Sequence, residues 1–383
     1  MRVALFTECY RPIVNGVVVS VITFAGELRK LDHDVHIIAP AYRGFTDTES
    51  NVHRLPSIMP PTRAAYPLAI PYTGCRLKAV FETQPPDIIH AQHPFATGRE
   101  ARRWARRLKR PLVFTYHTLI REYAHYVPLP RPLVRAAAVR LSRTFSNSAD
   151  HVIVPTRGIE NVLRSYGVHR PIDVIPTGLD LSLIRGVERK PMCAGLGIPS
   201  GVPLIAYSGR IAREKSLDTL IGALSMLVRR GSAAHLVLIG GGPWEDECRR
   251  LIDLERLADR VHMTGYLPRE SVFDWLAEAD VYCFPSLTDT QGVVVLEAMA
   301  VGCPPVAARS GAVEDVIRDG TDGLIVEPTA EAFADAISQI LSDGDLRCRL
   351  AGQAKQRAEE FSADRMAQRL VRVYEKLLGI ITS

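Results

Sequence analysis

Short apolar runs alternate with amphipathic stretches along the whole chain. In the first half these runs have strand length and cover residues 2–7, 34–40, 87–92, 111–117 and 151–156. In the second half they cover residues 203–210, 234–242, 260–266, 280–286, 304–309 and 323–328. Continuous apolar strands with helices between them are typical of a parallel sheet covered on both faces, so the pattern predicts two α/β units.

We therefore predict an α/β fold with two Rossmann-like, doubly wound domains that face each other across a cleft. A polar linker with scattered proline and glycine reaches to about residue 202 and puts the boundary near 180–190. The predicted domains are residues 1–180 and 181–362, and residues 363–383 form an amphipathic helix that packs back on the first domain. Ligands of such sheets bind beyond the carboxyl ends of the strands.

The net charge of +5 hides an asymmetry between the two halves. Residues 1–180 hold 24 Lys and Arg against 14 Asp and Glu, whereas residues 181–383 hold 23 against 28. A basic half indicates phosphate, nucleic acid or an anionic membrane surface as a partner, although many domains carry such an imbalance without any partner.

Cysteine usage and the N-terminus bound the cellular context. The seven cysteines are scattered and never have C-x-x-C spacing, which argues against a disulfide framework and a zinc site and favours a reduced cytosol. A membrane span needs about 18 apolar residues, and no apolar run in this sequence is that long. Residues 1–12 indicate a first buried strand rather than a signal peptide.

Two stretches have the character of phosphate sites. Asn15-Gly16 is a tight turn before a helix from about Val17, where backbone can approach an anion, although most such turns are only turns. Arg210 and Lys215 follow a strand that ends at a glycine, and two cations there suit a diphosphate. A solvated loop is the alternative for this pair.

Two other stretches also lie where a strand gives way to a helix. Glu297 lies near the start of a helix from about Val293, on an apolar face, and needs hydroxyl or amide partners such as a ribose diol. Asp289 precedes this helix, and helix capping alone is the alternative for both carboxylates. Gly240–Gly242 miss the G-x-G-x-x-G spacing, and we expect them to permit close approach of a nucleotide base or phosphate.

The segments N-G-V (15–17), G-R (209–210), E-K-S (214–216) and DTQGVVVLEAMAVGCPPV (289–306) carry a resemblance. With them the chain resembles the GT-B-fold retaining glycosyltransferases that have the E-x7-E signature (glycosyltransferase family 4-like). It is most similar to bacterial diacylglycerol glucosyltransferases and related lipid mannosyltransferases. One departure is Asp289, where the family usually has Glu.

The resemblance implies a role for each candidate. Arg210 and Lys215 would bind the diphosphate of a nucleotide sugar and stabilise the leaving group without a metal, and Gly16 would approach the same phosphates. Glu297 would hold the ribose. The donor sugar would be lined by Asp289, Thr290, Gln291, Gly292 and Val293. His117, at the end of a first-domain strand, would hold a sugar hydroxyl and shape an oxocarbenium-like transition state, and a backbone-bonded core histidine is its alternative.

Two features point to the acceptor. The stretch 115–128, TYHTLIREYAHYVP, is similar to the H-T-x4-Y-x-H-Y run of the lipid glycosyltransferases, so Tyr123, His125 and Tyr126 would border the acceptor site unless they are packing residues. The helical pattern at 98–110 places an apolar face with Trp104 against a basic surface. We expect this helix on an anionic membrane surface or, alternatively, packed on the sheet. Its residues assigned to the membrane are Arg102, Arg103, Trp104, Arg106 and Arg107.

The expected function is transfer of a hexose from a nucleotide sugar, with UDP-glucose favoured, to a membrane lipid such as diacylglycerol, giving an α-glycolipid. GDP-mannose is the alternative donor. A nucleotide-sugar epimerase and a non-enzymatic membrane sensor are the alternatives of other classes. We expect no cofactor, no metal and no nucleic-acid partner, and peripheral association with the cytoplasmic face of the cell membrane. The sequence leaves the oligomeric state open.

Overall fold

The computed structural model describes residues 1–13, 15–59, 67–70, 75–122 and 129–381. The chain divides into two compact units. Unit 1 comprises Met1–Gly178 and Ala363–Ser383, and unit 2 comprises Leu179–Ser362. Each unit is an α/β domain with its own parallel sheet.

Unit 1 has a seven-stranded parallel sheet and a separate two-stranded antiparallel pair. The parallel strands are β1 (Arg2–Phe6), β2 (Asp34–Pro40), β3 (Val52–Leu55), β6 (Ile88–Ala91), β7 (Leu112–Thr115), β8 (His151–Val154) and β9 (Ile172–Val174), and the pair is β4 (Ser57–Ile58) and β5 (Leu68–Ala69). The strand order is β3-β2-β1-β6-β7-β8-β9, so the winding direction reverses between β1 and β6.

Helices cover both faces of this sheet. They are α1 (Gly16–Lys30), α2 (Cys75–Thr83), α3 (Ala96–Leu108), α4 (Arg131–Ser146), α5 (Arg157–Ser165) and, from much later in the chain, α12 (Ala363–Leu377). Asn15 caps α1, because its Oδ1 accepts a hydrogen bond from the Val18 amide at 2.9 Å. Helix α12 packs on α1, and the Tyr374 hydroxyl lies 2.6 Å from Nδ1 of the buried His90.

Unit 2 repeats the scheme with a six-stranded parallel sheet. Its strands are β10 (Leu204–Ser208), β11 (His235–Ile239), β12 (Val261–Gly265), β13 (Val281–Phe284), β14 (Pro305–Ala308) and β15 (Leu324–Val326). Its helices are α6 (Leu217–Arg229), α7 (Glu245–Leu254), α8 (Arg269–Glu278), α9 (Val293–Val301), α10 (Ala330–Ser342) and α11 (Gly344–Glu359). The order β12-β11-β10-β13-β14-β15 reverses between β10 and β13.

The buried strands explain the apolar runs. In each unit, each face of the sheet is covered by its own apolar cluster. Neighbouring residues of a strand therefore belong to different clusters, as Ile205 and Ala206 do. The predicted fold class, two doubly wound α/β units, is confirmed. Two strands of the seven-stranded sheet, β3 and β9, were not predicted, because these edge strands are short and only half-buried and therefore lack a continuous apolar run. The short antiparallel pair β4 and β5 was not predicted either.

Candidate functional site

The candidate donor-binding residues of unit 2 gather where its winding direction reverses. Arg210 and Lys215 follow β10, and the segment from Asp289 to Glu297 follows β13, the strand that pairs with β10. Because parallel strands end at the same edge of a sheet, these two loops meet there. The topology therefore brings together residues that lie about eighty positions apart in the chain.

Lys215 and Asp289 form the central contact of this edge. Lys215 ends a short 3-10 helix, Arg213–Lys215, and its Nζ lies 2.6 and 2.7 Å from the two carboxylate oxygens of Asp289. Both side chains are half-buried. The Lys215 side chain is thus held in place at the end of β10, and an incoming anion would compete with Asp289 for it.

Glu297 and Arg269 form a second ion pair at the same sheet. Glu297 lies in the buried part of α9, with its side chain 10% exposed, and the Arg269 guanidinium at the start of α8 donates to its Oε1 at 2.7 Å. Burial raises the pKa of Glu297, and Arg269 opposes that rise. Sequence reasoning missed Arg269. Its position at a helix start after Pro268 was visible, but nothing in the spacing linked it to a carboxylate 28 residues later.

Two helices begin beside the Lys215–Asp289 pair without a side-chain cap. Their N-cap residues, Ser216 before α6 and Gly292 before α9, both have left-handed backbone, with φ of 52° and 69°. The first amides of a helix have no intrahelical acceptor, so uncapped starts attract anions. At Gly292 a Cβ would lie 3.2 Å from the Phe284 ring, which favours glycine there in addition to its positive φ.

The other predicted donor residues line the same loops. Thr290 and Gln291 lie in the turn between Asp289 and Gly292, with Gln291 buried, and Val293 is the first residue of α9. Arg210 is exposed, and its backbone carbonyl accepts a hydrogen bond from the Tyr207 hydroxyl at 3.1 Å. Within the part of the chain that the structure describes, the Arg210 guanidinium makes no ion pair.

Gly240 and Gly242 allow protein backbone to pack closely against them. A Cβ on Gly240 would lie 2.0 Å from the Gly209 carbonyl oxygen, and one on Gly242 would lie 2.2 Å from that of Ile211. The glycines therefore let the loop after β11 pack against the loop that carries Arg210, and approach of a nucleotide base or phosphate to them stays a prediction.

The carboxyl edge of unit 1 has a different composition. Glu8, Cys9 and Gly16 follow β1, Gln92 and His93 follow β6, and His117 follows β7. This edge, too, lies where the strand order reverses. Among the described residues, none has an atom within 4 Å of a Cβ added to Gly16, so there is open space beside this position.

His117 is hydrogen-bonded to Gln92. Its Nε2 lies 2.6 Å from the Gln92 side-chain oxygen, and because that oxygen can only accept, Nε2 carries the proton. Burial and, to a smaller extent, His93 and His90 hold the pKa of His117 well below its usual value. His117 is therefore a neutral imidazole with a fixed tautomer at the end of its strand.

A cluster that sequence reasoning missed adjoins His117. The Glu8 amide donates to His93 Nδ1 at 3.1 Å, and burial lowers the pKa of His93 to about 4. Burial raises the pKa of the Cys9 thiol to about 11. Burial also raises the pKa of Glu8, although the Thr97 amide donates to Glu8 Oε1 at 2.7 Å. The sequence signal was the polar pair Glu8-Cys9 directly after the first strand.

The basic helix α3 needs a correction. Trp104 is 3% exposed in the core of unit 1 and packs edge-on against Phe81, with ring centroids 5.2 Å apart, so it is not available to a membrane. The face with Ala101, Trp104 and Ala105 packs on the sheet, and the buried Glu100 on that face accepts a hydrogen bond from Trp104 Nε1 at 2.9 Å. Arg103, Arg106 and Arg107 are exposed and Arg102 is half-buried. Arg107 pairs with Glu82 at 2.8 Å.

Some predictions are outside what the structure covers. Tyr123, His125 and Tyr126 lie outside the described residues. Among the residues that are described, no three His, Cys, Asp or Glu side chains group to hold a metal ion. A search of the same residues finds no helix with both the length and the apolar character to cross a bilayer.

Family models match both halves of the chain. Residues 189–357 match the family described as "Glycosyl transferases group 1", and residues 14–183 match the family described as "Glycosyltransferase Family 4". Each match covers most of one unit.

Three characterised relatives are similar over most of the chain. An α-monoglucosyldiacylglycerol synthase of Streptococcus pneumoniae is 28% identical, and the alignment covers 98% of this chain and 85% of the relative. A GDP-mannose-dependent α-mannosyltransferase of Corynebacterium glutamicum is 28% identical, over 90% and 81%. A D-inositol 3-phosphate glycosyltransferase of Corynebacterium urealyticum is 33% identical, over 76% and 72%.

Among solved structures, Anabaena Alr3699/HepE in complex with UDP is similar in fold. The TM-score is 0.80 at 19% identity, and the match covers 98% of this chain and 100% of that one. At this identity the likeness establishes the fold alone.

Proposed function

The chain belongs to the family 4 glycosyltransferases, and we propose that it transfers a hexose from a nucleotide sugar to a membrane lipid with retention of the anomeric configuration. The observation that carries the proposal is the half-buried Lys215 ammonium, held by Asp289 between two uncapped helix starts. Cationic groups and helix N-termini at one sheet edge suit a leaving diphosphate.

In the proposed reaction Lys215 and Arg210 neutralise the diphosphate as the anomeric carbon–oxygen bond to it breaks. A new bond forms on the same face from the anomeric carbon to the acceptor hydroxyl oxygen, and the hydroxyl proton passes to the departing diphosphate. The Lys215 ammonium leaves Asp289 and binds the phosphate. The Asp289 carboxylate then accepts a hydrogen bond from a sugar hydroxyl. No metal or cofactor is required, because the two side chains and the helix amides supply the charge.

The remaining site residues take supporting roles in this proposal. Glu297, held by Arg269, accepts hydrogen bonds from the ribose hydroxyls. Thr290, Gln291, Gly292 and Val293 line the sugar. The roles of Gly16 and His117 toward the donor stay predictions from the resemblance. The neutral tautomer of His117 suits hydrogen bonding to a hydroxyl better than proton transfer.

UDP-glucose and diacylglycerol are the proposed donor and acceptor. The name of the S. pneumoniae relative supports glucose as the sugar and diacylglycerol as the acceptor, and that relative is matched over nearly the whole chain. GDP-mannose is the second candidate donor, since the C. glutamicum relative is named for its dependence on it. We place the enzyme in the cytoplasm, peripherally bound to the inner face of the cell membrane.

The test offers radiolabelled UDP- and GDP-sugars to the protein with lipid extracts and with pure diacylglycerol, in the presence of EDTA. We expect a labelled, α-linked glycolipid from UDP-glucose, with the anomer determined by NMR. A β-linked product would overturn retention, and activity lost in EDTA and restored by a divalent metal would overturn metal independence. An isomerised sugar nucleotide formed without lipid would identify an epimerase instead.

A further inference from the structure

A cavity on the surface of unit 1 is surrounded by arginines that the proposed reaction does not use. It has a volume of about 350 Å³ and lies between α4 and the turn that follows β7. Its lining residues are Arg121, Arg135, Ala136, Val139, Arg140 and Arg143. None of the described residues that line it is a carboxylate, and all four arginines are exposed.

These arginines differ in their partners from two of the arginines on α3. On α3, Arg107 pairs with Glu82 at 2.8 Å and Arg103 lies 3.7 Å from Glu100. Within the described ranges, the cavity arginines of α4 make no ion pair, and Arg121 reaches only its neighbour Glu122 at 3.8 Å. Four cations around one small cavity repel each other, and an anion bound between them would relieve that repulsion.

The chemistry of the cavity selects a phosphate group. Arginine forks match the oxygens of phosphate in a bidentate way, and four arginines are among the residues that line this cavity. Ala136 and Val139 supply an apolar wall between the arginines. A volume of this size is typical of a small-molecule site and exceeds a bare phosphate, so it also suits the glycerol portion of a headgroup.

The neighbouring surface indicates the source of that phosphate. Leu133 and Leu129 are 68% and 64% exposed, and Leu133 precedes Ala136 and Arg140 at the helical spacings of three and seven residues. One face of α4 therefore runs from an exposed leucine into the basic cavity. Exposed apolar side chains beside arginines are typical of a helix in the membrane interface.

We propose that this cavity binds the headgroup phosphate of an anionic phospholipid, with Leu133 and Leu129 entering the interface. The site holds the enzyme at the leaflet that contains its acceptor, and in that respect it rests on the proposed function. It also places the membrane contact on α4 rather than on α3.

The test is sedimentation with vesicles of phosphatidylcholine alone and with about one third phosphatidylglycerol. The triple variant R135Q/R140Q/R143Q should bind the anionic vesicles about a hundredfold more weakly than the wild-type protein. The matched control R249Q/R365Q/R372Q removes three exposed arginines elsewhere and should bind within about threefold of wild type. Equal losses in both triple variants would mean general charge attraction and overturn the site.

Two further measurements distinguish the source of the phosphate. Leu133→Ser should weaken vesicle binding about tenfold and leave binding of soluble glycerol phosphate unchanged. The alternative is a site for free phosphate. Calorimetry would then show binding of inorganic or glycerol phosphate that is lost in the triple arginine variant, while vesicle binding would be the same in wild type, the triple variant and Leu133→Ser. That result would overturn the phospholipid as the ligand. Transfer to a short-chain acceptor without vesicles reports on the proposed function separately, because the α4 variants should retain it.

Discussion

The ionisable groups at the carboxyl edges of the two sheets lie in opposite kinds of environment. At the edge of unit 2, Lys215 pairs with Asp289, and Arg269 pairs with Glu297. At the edge of unit 1, burial lowers the pKa of His93 and His117 and raises that of Glu8. The edge of unit 2 is built from ion pairs, whereas burial at the edge of unit 1 favours the uncharged forms of its groups.

The difference teaches what each edge can contribute. A paired charge can be exchanged for the charge of a ligand, since one partner replaces another at little desolvation cost. A buried imidazole with a lowered pKa can pair with an anion only after it takes up a proton. Unit 2 is therefore suited to a diphosphate, whereas unit 1 is suited to hydroxyl groups.

The largest expected effect is that of removing the exchangeable charge. Lys215→Ala should lower kcat/KM by about 10²- to 10³-fold, because one preorganised group that stabilises the leaving charge is lost. Steady-state kinetics with the preferred donor measure it. Lys190→Ala is the matched control, since Lys190 forms a similar ion pair with Asp274 at 2.8 Å in the same unit. If both variants lost the same activity, charge at the edge would not matter.

A smaller effect is expected at the second ion pair. Arg269→Met should raise the donor KM about tenfold and change kcat by less than about threefold, because Arg269 acts by holding Glu297 ionised and in place. Donor binding by this variant should also weaken further as the pH falls, since protonation of Glu297 is no longer opposed. Arg269→Lys should recover part of the affinity. A fall in kcat at constant KM would contradict a positioning role.

From the buried histidines at the edge of unit 1, we expect folding to be modestly sensitive to acid. Burial lowers the pKa of His93 to about 4, below its usual 6.5, so the unfolded chain binds this proton first. The stability it contributes is complete above pH 6.5 and is lost as the pH falls toward 4. His93→Gln should reduce the slope of unfolding free energy against pH by at most about 1.4 kcal/mol per pH unit in that window.

Urea unfolding between pH 7 and 4.5 measures that slope. His169→Gln is the matched control, because His169 is an exposed histidine of the same unit. An unchanged slope in His93→Gln would show that His93 titrates alike in the folded and unfolded chain. His93 would then not be one of the groups whose uncharged form is favoured at the edge of unit 1.

The sequence predicted the fold class because apolar strand periodicity is a local signal. All six strands of unit 2 coincide with predicted runs, whereas β3 and β9 of unit 1 were too short and polar to detect. The sequence motifs identified the loop residues of the candidate site but did not predict which of them form ion pairs. The Arg269–Glu297 contact depends on how α8 and α9 pack, and the burial of Trp104 depends on which face of α3 meets the sheet. Such facts need tertiary structure.

The position of α12 has a consequence for biosynthesis. The strands of unit 1 leave the ribosome well before α12, which packs on α1 and supplies the Tyr374 hydroxyl to His90. Throughout translation of unit 2, the nascent first domain therefore has an apolar surface without its final helix. A chain released before Ala363 would keep that surface exposed, which makes truncated products candidates for chaperone binding and degradation.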